Sequence, residues 1–187
     1  MRKEEIRSRI KARKAMLTDA ERQSAADAVF AVLENSVAFM LADNILLYHS
    51  LPDELSTRAF IEKWHDRKNF FLPRVHGVNL EVLPYNRSSL RLGAFQIEEP
   101  QGDDVRDISS IELIVVPGVA YDRCGNRVGR GKGFYDRLLA STHATKVGVG
   151  YDFQLVDDID SEPHDVVMDL VVTEHEIIRV RLSLIHI

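Results

Sequence analysis

The stretch IELIVVPG, residues Ile111–Gly118, is the strongest strand signal in the sequence. Its apolar run from Leu113 to Val116 lacks polar alternation, which is typical of a strand buried on both faces of a sheet. The glycine-rich, basic segment GNRVGRGKGFYDR (Gly125–Arg137) follows it, and the continuation FYDRLLAST predicts a helix. A buried strand, a loop and a helix in this order form the repeating unit of a parallel sheet.

Further strands are predicted on both sides of this unit. NILLYHS (Asn44–Ser50) is a short continuous apolar run, and KVGVGYD and MDLVVTE have a similar pattern. NFFLPRV and LEVLPY predict strands punctuated by proline, and EIIRVRL predicts a last strand. The stretch from Asn86 to Ser110 is polar and contains glycines, so we expect it to be mostly loop.

Helices alternate with these strands. A basic helix is predicted over residues 2–16, and a second one begins at Thr18 through a capping box with Glu21. A third helix is expected after the turn that follows the first strand, with Ser56 or Thr57 as its cap.

We therefore predict one α/β domain over residues 1–187, with a mostly parallel central sheet and helices on both faces. A chain of 187 residues is long enough to bury one sizeable core. The last six residues, LSLIHI, either finish that core or are a tail that is not native, and we assign them no role.

The composition excludes several functional classes. The formal net charge of −5 argues against a general nucleic-acid or anionic-membrane binder, so any positive site must be local. The single cysteine, Cys124, excludes an intramolecular disulfide and a cysteine-cluster zinc site. No apolar run reaches the length of a membrane span, and the N-terminal stretch lacks the apolar core of a signal peptide, so we expect a cytoplasmic protein.

The basic glycine-rich segment predicts an anion-binding loop. Gly129, Gly131 and Gly133 alternate with Arg130 and Lys132. Glycine allows positive φ, so successive N–H groups can face one oxyanion, and arginine and lysine supply positive charge. Open α/β sheets bind ligands between a buried strand and a helix, where the helix start is also positive. We expect a phosphate there, and a merely solvated surface loop is the simpler alternative.

Two common phosphate-binding motifs do not fit this loop. A Walker loop needs glycine where Asn126 lies and serine or threonine where Gly133 lies. A dinucleotide fingerprint needs glycine or alanine at Phe134, and the GVG at 148–150 has Phe153 at the corresponding place. The loop is therefore neither a Walker loop nor a Rossmann fingerprint.

The residues at the start of the predicted helix have two interpretations each. Asp136 either complements the helix dipole or holds Mg²⁺ against bound phosphates, since this cation prefers carboxylates and phosphate oxygens. Phe134 and Tyr135 either pack in the core or stack on a ligand ring. The residues alone leave these alternatives open.

The stretch PGVAYDRCGNRVGRGKGFYDR (117–137) resembles the 5-formyltetrahydrofolate cyclo-ligase signature N-R-L-G-R-G-x-G-Y-Y-D. Weaker matches follow the family's order: the basic N-terminal helix, YHSLPDELST, FLPRV and EPHDVVMDLVVTE. The resemblance covers essentially the whole chain except its last few residues. It implies cyclisation of 5-formyltetrahydrofolate to 5,10-methenyltetrahydrofolate, with Mg²⁺ as cofactor and ATP as co-substrate. ADP and phosphate are released, and the formyl oxygen is phosphorylated on the way.

The resemblance also implies the roles of individual residues. It places ATP against a basic pair and the glycine loop: Lys3, Arg7, Arg127, Val128, Gly129, Arg130, Gly131, Lys132, Gly133, Phe134 and Tyr135. It places the folate against His49, Glu54, Arg74, Phe95, Arg130, Gly131, Lys132, Gly133 and Phe134. It makes Arg130, Lys132 and Tyr135 catalytic, and Asp136 and Asp165 the Mg²⁺ ligands. It implies small-molecule partners only, without nucleic acid or membrane, and a monomer.

Several of these residues have simpler interpretations. Lys3 and Arg7, one helical turn apart, would otherwise be a solvated basic face, Glu54 a first-turn acid and Asp165 a loop residue. Phe134 departs from the family pattern, which has tyrosine there, so a role for that hydroxyl is in doubt while a stacking role survives.

Two other functions remain open from the sequence. One is a sugar-phosphate isomerase or an acyl-CoA transferase, which would need no ATP. The other is a folate or nucleotide carrier without catalysis, and the intact Lys3, Arg7, Glu54 and Asp136 argue against such a decayed site.

Overall fold

The computed structural model describes residues 2–86, 91–92 and 98–180 and shows one α/β domain. In chain order its elements are α1 (Lys3–Ala15), α2 (Asp19–Glu34), α3 (Val37–Leu41), β1 (Asn44–Leu46), α4 (Arg58–Trp64), β2 (Asn69–His76), β3 (Asn79–Pro84), β4 (Arg91–Leu92), β5 (Glu98–Glu99), β6 (Leu113–Val116), β7 (Ala120–Tyr121), β8 (Arg127–Val128), α5 (Phe134–Leu139), β9 (Thr145–Val149), β10 (Leu170–Val172) and β11 (Ile177–Arg179).

The main sheet has seven strands in the order β11-β10-β9-β6-β1-β2-β3. The strands from β10 to β2 run parallel, while β3 and β11 pair antiparallel at the two edges. The predicted mostly parallel sheet is confirmed, and its central strand β6 is the apolar run from Leu113 to Val116. All four residues of β6 are buried, which explains why the run has no polar alternation.

Helices cover both faces of this sheet, as predicted. Alternate side chains of a strand point to opposite faces, so Ile45 and Leu47 join the core under α2, α3 and α4. Leu46, between them, joins the opposite core with Leu139 of α5. Each face of β1 is therefore packed against helical side chains.

Helix α1 is fixed against the small β7–β8 hairpin. Its buried Ile6 and Ile10 pack with Ala120, Val128 and Ile159 in a third, smaller core. These two positions are four residues apart, so they lie on one helical face. The packing brings the N-terminal end of α1 to the loop that follows β6.

Helix α2 begins with the predicted capping box. The Glu21 backbone N–H donates to the Thr18 hydroxyl at 3.1 Å, and the Glu21 carboxylate accepts from the Thr18 N–H at 3.0 Å. Thr57 occupies the predicted N-cap position of α4, but its side chain makes no capping hydrogen bond. Its hydroxyl donates to the Tyr48 carbonyl instead. The Ser56 hydroxyl lies 3.4 Å from the Arg58 backbone nitrogen, which makes a long bond at best.

Three short features were not predicted. Helix α3 and the hairpin β7–β8 have too few residues for a periodic signal, and the pair β4–β5 lies within the stretch predicted to be mostly loop. The predicted site residue Phe95 and the LSLIHI tail lie outside the described residues. Within the described part of the chain α2, with 16 residues, is the longest helix, and none could cross a bilayer.

Candidate active site

A cleft of about 960 Å³ lies at the carboxyl ends of β1 and β6, the end of an α/β sheet at which ligands bind. The chain after each strand, the far half of β2 and the N-terminal end of α1 form its walls. The predicted site residues among its lining are Lys3, Arg7, His49, Glu54, Arg127, Gly129, Arg130, Gly131, Lys132, Gly133, Phe134, Tyr135 and Asp136.

The glycines of the loop serve two different purposes. Gly131 and Gly133 have φ values of +99° and +72°, which L side chains rarely adopt, so the predicted positive φ is confirmed at both. Gly129 instead packs against Arg127, where an added Cβ would lie 2.7 Å from the guanidinium nitrogen Nη1. Helix α5, after the loop, has only six residues, so its dipole contributes less than expected.

Arg127 is a buried cation beneath this loop. Only 9% of the residue is exposed, and its Nε has no hydrogen-bond partner in the part of the chain that the structure describes. The guanidinium carbon lies 5.5 Å from the centre of the Tyr135 ring, within cation–π distance. A buried polar group without a partner is costly, so this position suits a bound anion.

Arg130 reaches across the cleft to the turn after β1. Its Nη2 lies 2.8 Å from an oxygen of Asp53 and 3.7 Å from an oxygen of Glu54. Both side chains of the Asp53 pair are about half exposed, so this contact is held weakly. Sequence reasoning missed Asp53, although it directly precedes the predicted Glu54.

The N-terminal helix contributes two cations from one face, as the one-turn spacing predicted. Lys3 Nζ donates to Asp165 Oδ2 at 2.7 Å, and Arg7 Nε donates to the Gly129 carbonyl at 2.8 Å. Both side chains line the cleft, so the alternative of a basic face directed only to solvent is wrong.

The two aspartates predicted to bind Mg²⁺ lie together although 29 positions separate them in the chain. One ligand atom each from Asp136, His164 and Asp165 lie within 4.8 Å of one another. Burial acts to raise the pKa of Asp165, but hydrogen bonds from Lys3 and the Glu162 N–H hold it below the usual value. Ionised carboxylates are the ligands that Mg²⁺ prefers, so the pair fits this cation. His164, next to Asp165 in sequence, was not predicted.

The other end of the cleft carries the predicted folate residues His49 and Glu54. One Glu54 oxygen accepts the Leu51 N–H at 2.9 Å, which fixes the carboxylate at the start of the 51–54 turn. Burial raises the pKa of Glu54, against the Leu51 hydrogen bond and the charge of Arg130. Burial also raises the pKa of Tyr135, so its phenol keeps its proton at neutral pH.

Among the predicted residues that the structure describes, Arg74 and Val128 do not reach the cleft through their side chains, and Asp165 is not in its lining but contacts Lys3, which is. Arg74 points to the opposite side of β2 from Pro73 and Val75, and it donates to Glu81 at 2.7 Å and to the Gly102 carbonyl at 2.8 Å. The Val128 side chain is fully buried in the core against α1. Phe95 lies outside the described residues, so its role stays a prediction.

Sequence comparison finds relatives along most of the chain. A model of the 5-formyltetrahydrofolate cyclo-ligase family matches residues 1–174. The 5-formyltetrahydrofolate cyclo-ligase of Haemophilus influenzae is 32% identical over 174 residues, covering 88% of this chain and 93% of the relative. That of Escherichia coli is 32% identical over 178 residues, covering 90% and 98%.

Structure comparison gives the same result. The NMR structure of a 5,10-methenyltetrahydrofolate synthetase from Aquifex aeolicus has a TM-score of 0.88 at 31% identity, covering 97% of this chain and 94% of that chain. The synthetase from Mycoplasma pneumoniae has a TM-score of 0.74 at 20% identity, covering 92% and 99%, and shows the shared fold.

Proposed function

Because the chain belongs to the 5-formyltetrahydrofolate cyclo-ligase family, we propose that it converts 5-formyltetrahydrofolate to 5,10-methenyltetrahydrofolate with Mg²⁺ and ATP, releasing ADP and phosphate. One observation carries the proposal. The cleft brings together a cationic glycine loop, a pair of aspartates and a buried carboxylate, which are the three groups that this reaction needs.

The chemistry explains why these groups belong together. The formyl oxygen is a poor leaving group, so it attacks the γ-phosphorus of ATP and ADP departs. N10 of the folate then attacks the formyl carbon and gives up its proton, and hydrogen phosphate leaves with the former formyl oxygen. The protein must align the oxygen with the phosphate and neutralise the developing charge.

The loop supplies that alignment and charge. Arg127, whose Nε lacks a partner among the described residues, lies beneath the loop, and the exposed Arg130 and Lys132 lie on it. We propose that Arg130 leaves Asp53 for the transferred phosphate, since an exposed ion pair costs little to break. Lys3 and Arg7 would bind the nucleotide from α1.

Asp136 and Asp165 would hold Mg²⁺, which when bound neutralises phosphate charge. At the folate end, Glu54 would accept N–H groups of the pterin ring, and His49 lies on the same wall. The neutral Tyr135 phenol would donate a hydrogen bond within the reacting region. We propose that residues 1–187 act as one domain and as a monomer on these small molecules.

An activity assay tests the proposal. The purified protein is supplied with 5-formyltetrahydrofolate, Mg²⁺ and ATP, and the near-ultraviolet absorbance of the methenyl product is followed. We expect product only when ATP is present. Turnover of a sugar phosphate or an acyl-CoA without nucleotide, or tight folate binding without turnover, would contradict the proposal and favour an isomerase, a transferase or a carrier.

A further inference from the structure

Glu99, at the end of β5, is a buried carboxylate in the wall of the cleft. The proposed reaction assigns no role to it. Only 6% of the residue is exposed, and it lines the cleft together with Pro73, Val75 and Leu80. One of its oxygens, Oε2, accepts the backbone N–H of Val75. A charged group is seldom buried so far without a purpose, because its desolvation is costly.

The ends of two strands explain how the carboxylate comes to lie there. Strand β1 ends at Leu46, and its last contact with β2 is the bond from the Leu47 N–H to the Phe71 carbonyl at 2.9 Å. Strand β2 continues, and alternate residues of a strand direct their backbone groups to the same side. Pro73 therefore has no N–H to offer toward β1, and the Val75 N–H faces the gap beyond the end of β1.

Glu99 occupies this gap. Its carboxylate takes the place of the strand that would otherwise bind Val75, at the carboxyl end of the sheet where α/β folds bind ligands. Since one oxygen is committed to the Val75 N–H, the side chain is fixed in orientation. The group is thus a rigid acceptor, which is the kind of group that positions a ligand.

We propose that Glu99 is a second folate-binding carboxylate, which accepts N–H groups of the pterin ring that Glu54 does not reach. This inference rests on the proposed function. A reduced pterin has a 2-amino group and an N3–H along one edge and an N8–H on another side, so one carboxylate cannot face all of these donors at once. Glu54 is fixed by the 51–54 turn and Glu99 by β2, so the two carboxylates belong to different walls of the cleft.

The negative charge of Glu99 also determines the orientation in which the ligands bind. A fixed carboxylate repels phosphate and attracts N–H donors, so this part of the cleft rejects the nucleotide and accepts the ring. The cations of the glycine loop instead attract phosphate and repel N–H donors. The two regions together place the ring and the phosphates in a single orientation.

Titration calorimetry on the full chain tests the inference. 5-Formyltetrahydrofolate and, separately, a non-hydrolysable ATP analogue with Mg²⁺ are titrated into the wild type, Glu99→Gln and Glu112→Gln. Glu112 is the matched control, because its carboxylate also accepts backbone N–H groups, those of Asp43 and Asn44, and lies outside the cleft. In both variants glutamine keeps one oxygen acceptor, which can still accept the backbone N–H, and replaces the other oxygen and the charge with an NH₂ donor.

We expect Glu99→Gln to weaken folate binding about tenfold or more and to leave the affinity for the ATP analogue unchanged, because a hydrogen bond to a charged acceptor is lost. Glu112→Gln should change neither affinity. An unchanged folate affinity in Glu99→Gln, or an equal loss for both ligands, would overturn the inference. If the wild type binds the folate but shows no ATP-dependent turnover, the affinities still decide the role of Glu99 while the proposed reaction fails. If the wild type does not bind the folate, both fail.

Discussion

At the scale of single residues, the cleft holds its cations in preset positions. Arg127 is fixed by burial next to Tyr135, Arg7 donates to the Gly129 carbonyl, and Lys3 donates to Asp165. Charges that are already positioned need little reorganisation when a phosphate arrives, which is the main requirement of electrostatic catalysis. The consequences can be tested by removing one side chain at a time.

Lys132→Ala and Arg130→Ala should each reduce kcat about a hundredfold or more, because each removes a charge aimed at the transferred phosphate. Both side chains are exposed, so we expect melting temperatures within about 2 °C of the wild type. Arg123→Ala is the matched control, because Arg123 is an exposed arginine that pairs with Glu176 away from the cleft. Near-normal turnover in both loop variants would contradict the proposed roles.

Glu54→Gln should stabilise the protein and weaken folate binding. Since burial raises the pKa of Glu54, the native state holds this proton more tightly than the unfolded chain. Stability therefore falls as pH rises from the unfolded pKa to the raised native pKa, and the loss remains at neutral pH. Glutamine removes that loss, so we expect a melting temperature about 2 °C higher at pH 7.

The same carboxylate predicts a pH dependence. In the wild type the KM for the folate should rise as pH falls through the raised pKa of Glu54, and in Glu54→Gln it should be high at every pH. Steady-state kinetics across the acidic range measure this. A lower melting temperature for Glu54→Gln with an unchanged folate KM would contradict this role.

At the scale of elements, the loop between β8 and α5 and the N-terminal end of α1 form one unit. The loop takes its shape from glycines with positive φ, and α1 closes on it through the bond from Arg7 to the Gly129 carbonyl. An added Cβ at Gly131 would meet only the Arg7 guanidinium, at 3.8 Å, so backbone conformation and not space requires glycine there.

Gly131→Ala should therefore destabilise the protein by about 1–2 kcal/mol and raise the KM for ATP. Gly77→Ala is the control, because Gly77 has a φ of +62° with nothing within 4 Å and lies in the β2–β3 turn outside the cleft. It should lose stability without a change in ATP affinity. Denaturant unfolding and steady-state kinetics compare the two variants, and an unaltered ATP KM in Gly131→Ala would show that the loop conformation is not needed.

The elements that could be predicted are those with strong local signals. The unbroken apolar run of β6 and the capping box of Thr18 and Glu21 specify structure within a few residues. The β7–β8 hairpin could not be predicted, because two-residue strands have no period. In the site, the loop and the family motif identify about half of the lining, but Asp53, His164 and Glu99 depend on contacts between distant segments, which one sequence does not show.

At the scale of the whole molecule, a chain with a net charge of −5 gathers a local group of cations at one part of the cleft. The cations come from two distant parts of the chain, the N-terminal helix α1 and the glycine loop before α5. The two aspartates that we propose bind Mg²⁺ likewise come from α5 and from the segment before β10. Binding of Mg²⁺ and ATP should therefore tie several elements together.

Asp136→Asn and Asp165→Asn should each raise the Mg²⁺ concentration needed for half-maximal turnover about tenfold or more, because each removes a negative charge from the site. Asp157→Asn is the control, because Asp157 is exposed and does not line the cleft. Turnover is measured across a Mg²⁺ series at saturating ATP. If all three variants need the same Mg²⁺ concentration for half-maximal turnover, Mg²⁺ does not bind at Asp136 and Asp165.

The most direct test of the account follows a single oxygen atom. 5-Formyltetrahydrofolate carrying oxygen-18 in its formyl group is converted by the wild type with Mg²⁺ and ATP, and the inorganic phosphate is examined by mass spectrometry. If the loop transfers the γ-phosphoryl group to the formyl oxygen, the phosphate contains one oxygen-18 for each methenyl product formed. Methenyl product with the label released into water, or product formed without ATP, would contradict this account.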